Sequence, residues 1–435
     1  MPATTAEVAV IGAGIVGAAT ALVLAESGMA VTVIDPAPAT GASFGNAGAI
    51  AIGGVTPNAT PGVVRQLPRL LFDAQGYGWV RRGDLPAALP WVARMIAASR
   101  PAQVARISAA MAPLTAPALA AHRELAALAG RPDLIRAGGW LKVYGSAAGF
   151  AGTGLDRRLM QAHGVGFDIL DAQALRQRLP ALRPEGLHAA IDQPACGFAP
   201  DPGGLVMAYL DAALARDARL LRARVTGAES QPGGIRLHTT EGMLSAARVV
   251  VCAGAASGAL AARFGDRIPL LAERGYHACF EAGTESLLPG PTYFASLGLV
   301  LAPMDEGLRL TMGAELSRPG RPPDFRRLRG RIAVARGLVP ALAGAGIRRE
   351  WMGERPSLPD SLPVIGPASR DPRVIHAFGH AHLGLTMSAV TAGLVRDLLA
   401  GRTPATDPAP YRADRFRLLP GRAVSRPAAA PRAPG

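Results

Sequence analysis

The apolar positions divide the chain into three kinds of segment. Residues 8–34 form an apolar β-branched run, an uncharged Ala-rich helical stretch and a second apolar run. Between 61 and 130 the apolar residues recur at helical spacing, with prolines between the segments. Two later regions, 139–199 and 268–312, contain short strand-like runs separated by turns. The pattern predicts an opening βαβ unit, a helical insertion and a separate antiparallel sheet.

Three glycines lie between the first apolar run and the helical stretch. Gly12 allows a tight strand-to-helix turn, Gly14 lets the backbone approach a diphosphate, and Gly17 lets helix and strand pack closely. The N–H groups that open the helix favour an anion, and the helix dipole adds to this preference. Asp35 ends the second strand, where a carboxylate accepts hydrogen bonds from a ribose. These residues predict a dinucleotide-binding βαβ unit.

Two further stretches indicate contact with a flat cofactor ring. The loop 40–54 is rich in glycine and alanine, which lets backbone lie against a ring, and Ser43 and Asn46 supply hydrogen bonds. An ordinary flexible loop is the alternative. After Arg248, residues 249–255 form an apolar run that ends in a small-residue turn, as a buried parallel strand does beside a cofactor. We therefore expect residues 200–265 to belong with the opening motif.

Composition narrows the classes of partner. The chain has 435 residues, enough for two domains, with 49% hydrophobic and 18% charged residues. Its formal charge of +14 would suit nucleic acid or an anionic membrane. However, Lys142 is the only lysine, and the arginines are mostly scattered, as GC-rich coding would produce. We therefore expect no nucleic-acid binding, and a weak peripheral membrane contact stays open.

The remaining bulk features favour a soluble intracellular protein. Residues 8–25 are uncharged and nearly long enough to span a bilayer, but Arg65 is the first basic residue and Glu7 and Glu26 border the run. The three cysteines have no metal-ligand or redox spacing. We expect reduced thiols, no metal and a cytoplasmic location, with peripheral contact to the inner face of the membrane left open.

Four motifs together resemble the D-amino-acid oxidase superfamily of FAD-dependent oxidoreductases. They are GAGIVG at 12–17 with Asp35, SFGNAG at 43–48, GERPSLPDSLPVIG at 353–366 and FGHAHLGLT at 378–386. Within that superfamily the chain looks most like the bacterial D-amino-acid dehydrogenases, including D-hydroxyproline dehydrogenase-like members. The resemblance implies an α/β fold with two domains: a glutathione-reductase-like, FAD-binding Rossmann domain and a substrate domain with an antiparallel sheet over the flavin.

The resemblance also implies a division of the chain. We expect residues 1–60, 200–265 and 345–402 in the FAD-binding domain, 61–199 and 266–344 in the substrate domain with its helical insertion, and 403–435 in a partly disordered tail. Local patterns predict one helix over 101–128, a strand over 222–226, a hairpin over 235–247 and a solvated basic helix over 326–338.

Four residues are expected to act on the substrate. Arg355 matches the arginine that holds the substrate carboxylate through two parallel hydrogen bonds; the alternative is a structural salt bridge, for example to Glu354. Tyr276 is either a second contact to the carboxylate or amine, or a packed strand aromatic. His380 and His382 flank the loop that faces the flavin. We expect one of them near the substrate pocket and neither as an essential base.

The expected FAD contacts are spread over both ends of the chain. The N–H groups of Gly384, Leu385 and Thr386 open a helix and should face the flavin N1–C2=O edge, where they stabilise the reduced anion. The full set is Ile11, Gly12, Gly14, Ile15, Val16, Gly17, Asp35, Pro36, Ser43, Asn46, Ala47, Gly48, Val225, Ala253, Gly254, Gly379, Gly384, Leu385 and Thr386.

The resemblance implies oxidative deamination of a D-amino acid by hydride transfer to flavin N5, with D-hydroxyproline and D-proline-like substrates within the range. Sarcosine-oxidase relatives use a lysine for oxygen, and its approximate match here is Arg309. The cysteine that tethers flavin in those relatives has no counterpart in 352–355. We therefore expect non-covalent FAD and a dehydrogenase that passes electrons to a quinone or another carrier.

Four alternatives remain open. The first is an oxygen-using oxidase of glycine or sarcosine type. The others are a non-catalytic flavin-binding subunit of a larger complex, an NAD-dependent dehydrogenase and a membrane-surface adaptor.

Overall fold

The computed structural model describes residues 4–72, 78–318 and 320–417. Its helices are α1 Ile15–Glu26, α2 Pro61–Phe72, α3 Leu85–Ala98, α4 Pro101–Thr115, α5 Ala118–Leu128, α6 Ala147–Ala151, α7 Gly154–Ala162, α8 Ala172–Arg178, α9 Pro202–Leu214, α10 Ser257–Arg263, α11 Arg326–Leu338 and α12 Gly384–Leu399.

The strands form one sheet of eight, one of nine and one of three. They are β1 Thr4–Ile11, β2 Val31–Ile34, β3 Ala49–Ile50, β4 Gly78–Val80, β5 Arg136–Ala137, β6 Trp140–Tyr144, β7 Asp168–Asp171, β8 Ala189–Gln193, β9 Gly197–Phe198, β10 Arg219–Leu221, β11 Val225–Gln231, β12 Gly234–Thr239, β13 Gly242–Val251, β14 Leu271–Phe280, β15 Thr292–Phe294, β16 Leu299–Met304, β17 Gly307–Leu316, β18 Ile347–Ser357, β19 Val364–Pro367 and β20 Val374–Phe378.

The eight-stranded sheet has a parallel core in the order β10, β2, β1, β13 and β20. Helix α1 packs against α9 and α12 on this core, and most of its residues are buried. Because α1 is covered on nearly all sides, it exposes no face to water, which explains its uniformly apolar sequence. The carboxyl ends of β1, β2, β13 and β20 lie at one edge of the sheet, where ligands bind in open α/β folds.

Strand β13 pairs with two other strands, and the sequence pattern predicts its two halves as separate elements. Its first half, from Gly242, pairs antiparallel with β12, and its second half, to Val251, pairs parallel with β20. The expected hairpin arm and the expected buried strand are therefore one continuous strand. The strand expected over 222–226 begins only at Val225, because the chain turns between Leu221 and Ala223 as it leaves β10 for β11.

The nine-stranded sheet is mostly antiparallel and runs β18, β14, β17, β16, β15, β6, β8 and β7, with β4 beside β17. Its core includes an apolar stripe of α11, formed by Leu328, Ile332 and Ala335. The basic helix is thus solvated on one face only. Strand β18 lies inside the range 345–402, yet it pairs with β14, so the chain returns to the first sheet only after Ser357.

The helix expected over 101–128 is two helices, since α4 ends at Thr115 and α5 begins after Pro117. By length and composition alone, Pro101–Leu128 could cross a membrane, but half of its apolar window is buried within the protein. A core helix passes the same test. This stretch therefore gives weak evidence for a membrane span.

The described part of the expected tail is packed. Tyr411 is buried and its hydroxyl donates to Ala110 O at 2.6 Å. Arg415 pairs with Asp360 at 2.8 Å. Residues 403–417 are therefore held against the body of the protein, whereas 418–435 lie outside the described residues.

Candidate active site

A large cavity of about 1310 Å³ lies where the two main sheets meet. One wall is formed by the carboxyl ends of β1, β2, β13 and β20 and by the loop 40–54. The opposite wall comes from β6, β14, β17 and β18 of the second sheet, and the first turn of α12 closes one end. The cavity is large enough for a dinucleotide together with a small substrate.

The glycine-rich turn leaves no room for side chains. Gly12 has φ +105°, and a Cβ there would lie 2.4 Å from Cys252 O. A Cβ on Gly17 would lie 1.9 Å from Gly12 O, so this glycine allows α1 to pack against β1. The N-terminus of α1 opens into the cavity, where Ile15 N donates to Ser43 Oγ at 3.0 Å. These features fit a bound diphosphate.

Asp35 lies beside this turn with a fixed carboxylate. Its Oδ2 accepts from Ala13 N at 2.7 Å and its Oδ1 from Ala37 N at 2.8 Å. The side chain is part-buried and borders the cavity at the tip of β2. This is the position from which a carboxylate reaches a ribose.

The structure brings most of the expected FAD contacts together, with two exceptions. Gly17 packs behind the turn as described. Gly48, with φ +76°, faces Ala199, whose carbonyl would lie 2.3 Å from a Cβ. The cavity wall contains the other expected residues: Ile11, Gly12, Gly14, Ile15, Val16, Asp35, Pro36, Ser43, Asn46, Ala47, Val225, Ala253, Gly254, Gly379, Gly384, Leu385 and Thr386.

The loop 43–48 is clamped from the second sheet. Arg309, only 3% exposed, donates to Phe44 O at 2.9 Å and to Asn46 O at 2.8 Å. Arg309 does not line the cavity, so its charge does not reach the cavity from the position that approximately matches the lysine of sarcosine-oxidase relatives. A Cβ on Gly45 would lie 1.8 Å from the Trp351 ring, which stacks on His277. Sequence reasoning missed Trp351, although the small residues at 45 and 353 make room for it.

Arg355 projects into the cavity with one edge of its guanidinium fixed. Its Nη1 donates to Glu273 Oε1 at 3.0 Å and to Gly313 O at 2.9 Å. Among the described residues it makes no hydrogen bond through Nε or Nη2, the two donors that grip a carboxylate side-on. Glu354 does not pair with Arg355; it pairs with Arg274 at 3.1 Å. One nitrogen of Arg355, Nη1, is thus held by the protein, and the other two, Nε and Nη2, are available to a ligand.

The Glu273 carboxylate is itself held. Its Oε2 accepts from Ser357 Oγ at 2.9 Å. The guanidinium of Arg355 lies over Gly275, where a Cβ would be 2.2 Å from Nη2. A glycine at 275 is therefore required for Arg355 to reach the cavity.

Tyr276 is a packed strand aromatic, and its expected role as a substrate contact is wrong. Successive side chains of a strand face opposite sides, and Glu273 and Gly275 face the cavity. Tyr276 is 1% exposed, stacks on Trp79 and donates to the Glu315 carboxylate. Burial, followed by the bond to Glu315, raises the pKa of Tyr276 to about 12.

The two histidines differ in position. His380 is buried, its Nε2 lies 3.0 Å from Thr391 Oγ1, and burial lowers its pKa to about 3. His382 is exposed to the cavity, with Nδ1 3.3 Å from Asn58 Nδ2. Enclosure by the protein lowers the pKa of His382; the Arg355 and Lys142 charges add to this, and Glu273 opposes it. Both rings are therefore neutral at pH 7.

The first turn of α12 is tied to distant parts of the chain. Thr386 Oγ1 accepts from Ala51 N at 3.1 Å and donates to Ala49 O at 3.3 Å. His122 Nε2 donates to Leu385 O at 2.7 Å, while its Nδ1 lies 2.9 Å from Tyr209 OH. Burial lowers the pKa of His122 to about 4, so its ring is neutral. Sequence reasoning missed His122, which gave no local signal.

Comparisons with known proteins agree with this geometry. The sequence profile of the FAD dependent oxidoreductase family matches residues 7–398. A D-amino-acid oxidase from Bradyrhizobium diazoefficiens is 36% identical over 418 residues, covering 94% of this chain and 98% of that protein. D-amino acid dehydrogenase 2 of Mesorhizobium japonicum is 31% identical over 423 residues, covering 92% and 98%.

A solved structure shares the fold. Glycine oxidase from Geobacillus kaustophilus superposes with a TM-score of 0.74 at 24% identity, covering 95% of this chain and 100% of that chain. Fold, cavity and family profile together define a flavin-dependent oxidoreductase. The chain belongs to the FAD-dependent oxidoreductase family that includes D-amino-acid oxidase and D-amino acid dehydrogenase. It is an oxidoreductase acting on amino acids, with FAD as its cofactor.

Proposed function

We propose that this enzyme catalyses the oxidative deamination of a D-amino acid and passes the electrons to a quinone or another carrier. The observation that carries the proposal is the free Nε–Nη2 fork of Arg355 in the cavity. The names of the relatives supply the D configuration and the amino-acid class. D-Proline-like substrates, including D-hydroxyproline, remain within the proposed range.

The residues of the chain bind and orient in this mechanism. Gly12, Gly14 and Asp35 would hold the adenosine diphosphate part of FAD, and Gly384 to Thr386 would hold the flavin end. FAD, when bound, supplies the acceptor for the hydride that leaves the substrate Cα. Arg355 would fix the carboxylate and thereby aim Cα, which is a gain from orientation rather than from acid–base chemistry.

Proton transfer needs no strong base from the chain. The His382 ring that borders the cavity is neutral, so it places no charge beside the substrate amine. The amine would react in its neutral form. The imine product would then be hydrolysed to a 2-oxo acid, or retained as a cyclic imine for a proline-like substrate.

We also propose non-covalent FAD and a cytoplasmic enzyme with at most weak contact to the inner face of the membrane. No cysteine lies in β18 beside Arg355. Cys252 borders the cavity, but it packs against Gly12 and Gly17 at the glycine-rich turn, and burial raises its pKa to about 12. Acid denaturation should therefore release all of the flavin into the supernatant.

The electron acceptor separates the proposal from its main alternative, an oxygen-using oxidase. The relative from Bradyrhizobium diazoefficiens named an oxidase favours the alternative. The orientation of Arg309 toward the loop carbonyls supports a dehydrogenase, because no cation reaches the cavity from that position.

Anaerobic mixing of the yellow protein with D- and L-amino acids, D-hydroxyproline and sarcosine tests the proposal. We expect D-amino acids to bleach the flavin absorbance. A soluble quinone should then restore it faster than air-saturated buffer does. Bleaching by L-amino acids only, or by none of the panel, would refute the proposed reaction. Faster return with oxygen would favour the oxidase.

A further inference from the structure

Lys142 is the one lysine of the chain, and it borders the cavity. Every other residue among the 46 lysines and arginines is an arginine. Trp140, Lys142 and Tyr144 alternate along β6 and line the cavity together. A chain that uses arginine elsewhere thus places its one lysine ammonium at the site. An ammonium is a compact donor with freely rotating N–H groups, whereas a guanidinium is a planar fork.

The Lys142 ammonium is fixed but not saturated. Its Nζ lies 2.8 Å from Asp156 Oδ2, and Asp156 Oδ1 accepts from Thr56 Oγ1. Both members of the ion pair are 18% exposed. An ammonium has three N–H donors, and within the described part of the chain only one is used. The other two are available to a ligand in the cavity.

Lys142 and Arg355 border the same chamber. Both side chains line the cavity, and both charges act on the His382 ring. The chamber holds two balanced pairs, Arg355 with Glu273 and Lys142 with Asp156. An amino acid with a neutral amine brings one negative charge, its carboxylate, for Arg355. A second carboxylate at Lys142 would lie beside the Asp156 carboxylate, and like charges at close range repel.

We propose that the Lys142 ammonium, held by Asp156 and Thr56, binds a neutral hydrogen-bond acceptor on the substrate side chain, a hydroxyl or carbonyl oxygen, while Arg355 holds the α-carboxylate. This proposal rests on the proposed function and narrows its substrate class. Lys142 is then a specificity-determining residue. Beside an apolar analogue, the part-buried ammonium keeps its bond to Asp156 but loses the bond to the substrate, which disfavours that analogue and gives the discrimination.

Near-isosteric substrate pairs measure this discrimination. The pairs are D-threonine with D-valine, D-asparagine with D-leucine, and hydroxy-D-proline with D-proline, each compared by the rate of anaerobic flavin bleaching. We expect the wild-type enzyme to favour the acceptor-bearing member of at least one pair by about ten- to hundredfold in kcat/KM, the usual range for a hydrogen bond to a charged group. D-Asparagine should also exceed D-aspartate.

The double variant Lys142→Met with Asp156→Asn removes both charges and leaves no unpaired ion. We expect its preference within each pair to fall to about threefold or less, because the apolar members lose no contact. The matched control is Arg415→Met with Asp360→Asn, an ion pair outside the cavity with 16% and 17% exposure. This control should keep the wild-type preference.

A second readout does not need turnover. Succinamate and 4-methylpentanoate are near-isosteric carboxylates, and their dissociation constants follow from changes in the flavin spectrum. If succinamate binds the wild type more tightly than 4-methylpentanoate does, and the double variant loses this difference, the proposal is supported. This holds even if no D-amino acid reduces the flavin, because the absence of reduction would refute only the proposed function. Equal affinities and equal kcat/KM values in the wild type would overturn the proposal without any variant. Preference for D-aspartate over D-asparagine would also overturn it.

Discussion

At the diphosphate end of the cavity, recognition comes from backbone and from residues close in sequence, whereas at the substrate end it comes from side chains joined across the second sheet. Gly12, Gly17 and Asp35 lie within one βαβ unit, and their contacts follow from its local geometry. Arg355 depends on Glu273, which is 82 residues away along the chain. The diphosphate site therefore depends on the spacing of residues along the sequence, and the substrate site depends on the register of the strands.

The difference has a consequence for tolerance to change. The glycine-rich turn at the diphosphate end has no room for a Cβ at Gly12 or Gly17. Any larger residue there should disrupt the turn, whatever the chemistry of its side chain. An ion-pair network keeps its shape under conservative replacement but loses the geometry of its donors. Substitutions at the two ends should therefore fail in different ways, one through loss of cofactor and fold, the other through loss of turnover.

The largest effect is expected for Gly12→Ala. The new Cβ would lie 2.4 Å from Cys252 O at a residue with φ +105°. We expect a loss of about 4 kcal/mol or more in the free energy of unfolding, together with loss of bound FAD. Flavin content and thermal denaturation measure both.

Gly28→Ala is the matched control for Gly12→Ala. Gly28 also has a positive φ, +85°, but nothing lies within 4 Å of the position that a Cβ would take there. This variant should lose only about 1 kcal/mol of stability and keep its FAD. An equal loss of stability and of FAD in both variants would mean that the positive φ causes the effect, and not the contact of the new Cβ with Cys252 O.

A smaller but still large effect is expected for Arg355→Lys. The lysine keeps a positive charge beside Glu273 but loses the side-on fork. We expect kcat/KM to fall by about 10² to 10³, that is roughly 3–4 kcal/mol, with FAD content unchanged. Steady-state kinetics with the best D-amino acid give the value.

Arg274→Lys controls for the loss of a guanidinium on the same sheet. Arg274 pairs with Glu354 and does not line the cavity. Its variant should lose stability while keeping its KM. Unchanged kcat/KM in Arg355→Lys, or in Arg355→Ala, would refute the assignment of Arg355 to the carboxylate.

The same contrast explains what the sequence can predict. The glycine spacing predicts the opening βαβ unit, and the helix starts at Asp171 and Asp201 follow from capping preference; both carboxylates accept from N–H groups of the first turn. Strand β18 shows no alternation of apolar and polar residues, so no pattern indicates it.

Long-range partners explain the errors at the site. The side of the sheet on which Tyr276 lies depends on strand register and on an irregularity between Arg274 and Tyr276. His122 contacts a carbonyl 263 residues away. Lys142 lines the cavity only because its strand, β6, directs the side chain there. Spacing along a chain carries no information about such pairs.

The smallest expected effect concerns α12, whose first turn closes one end of the cavity. Burial lowers the pKa of His122 to about 4 and that of His380 to about 3, against about 6.5 in an unfolded chain. Between these values the unfolded state binds the proton and the folded state does not. Stability therefore falls as the pH drops below 6.5 and is independent of these groups above it. Each histidine should contribute roughly 2–3 kcal/mol of loss by pH 4.5.

His122→Gln removes one of these titrations. Urea denaturation of the FAD-loaded protein between pH 4.5 and 7.5 should show a pH dependence shallower by about one proton than that of the wild type. His188→Gln, at an exposed histidine, is the matched control for the loss of an imidazole. An unaltered slope in His122→Gln would mean that the ring is protonated while it contacts Leu385 O. In that case the start of α12 would be held by a charge, and the neutral side-chain anchoring inferred for this end of the cavity would be incorrect.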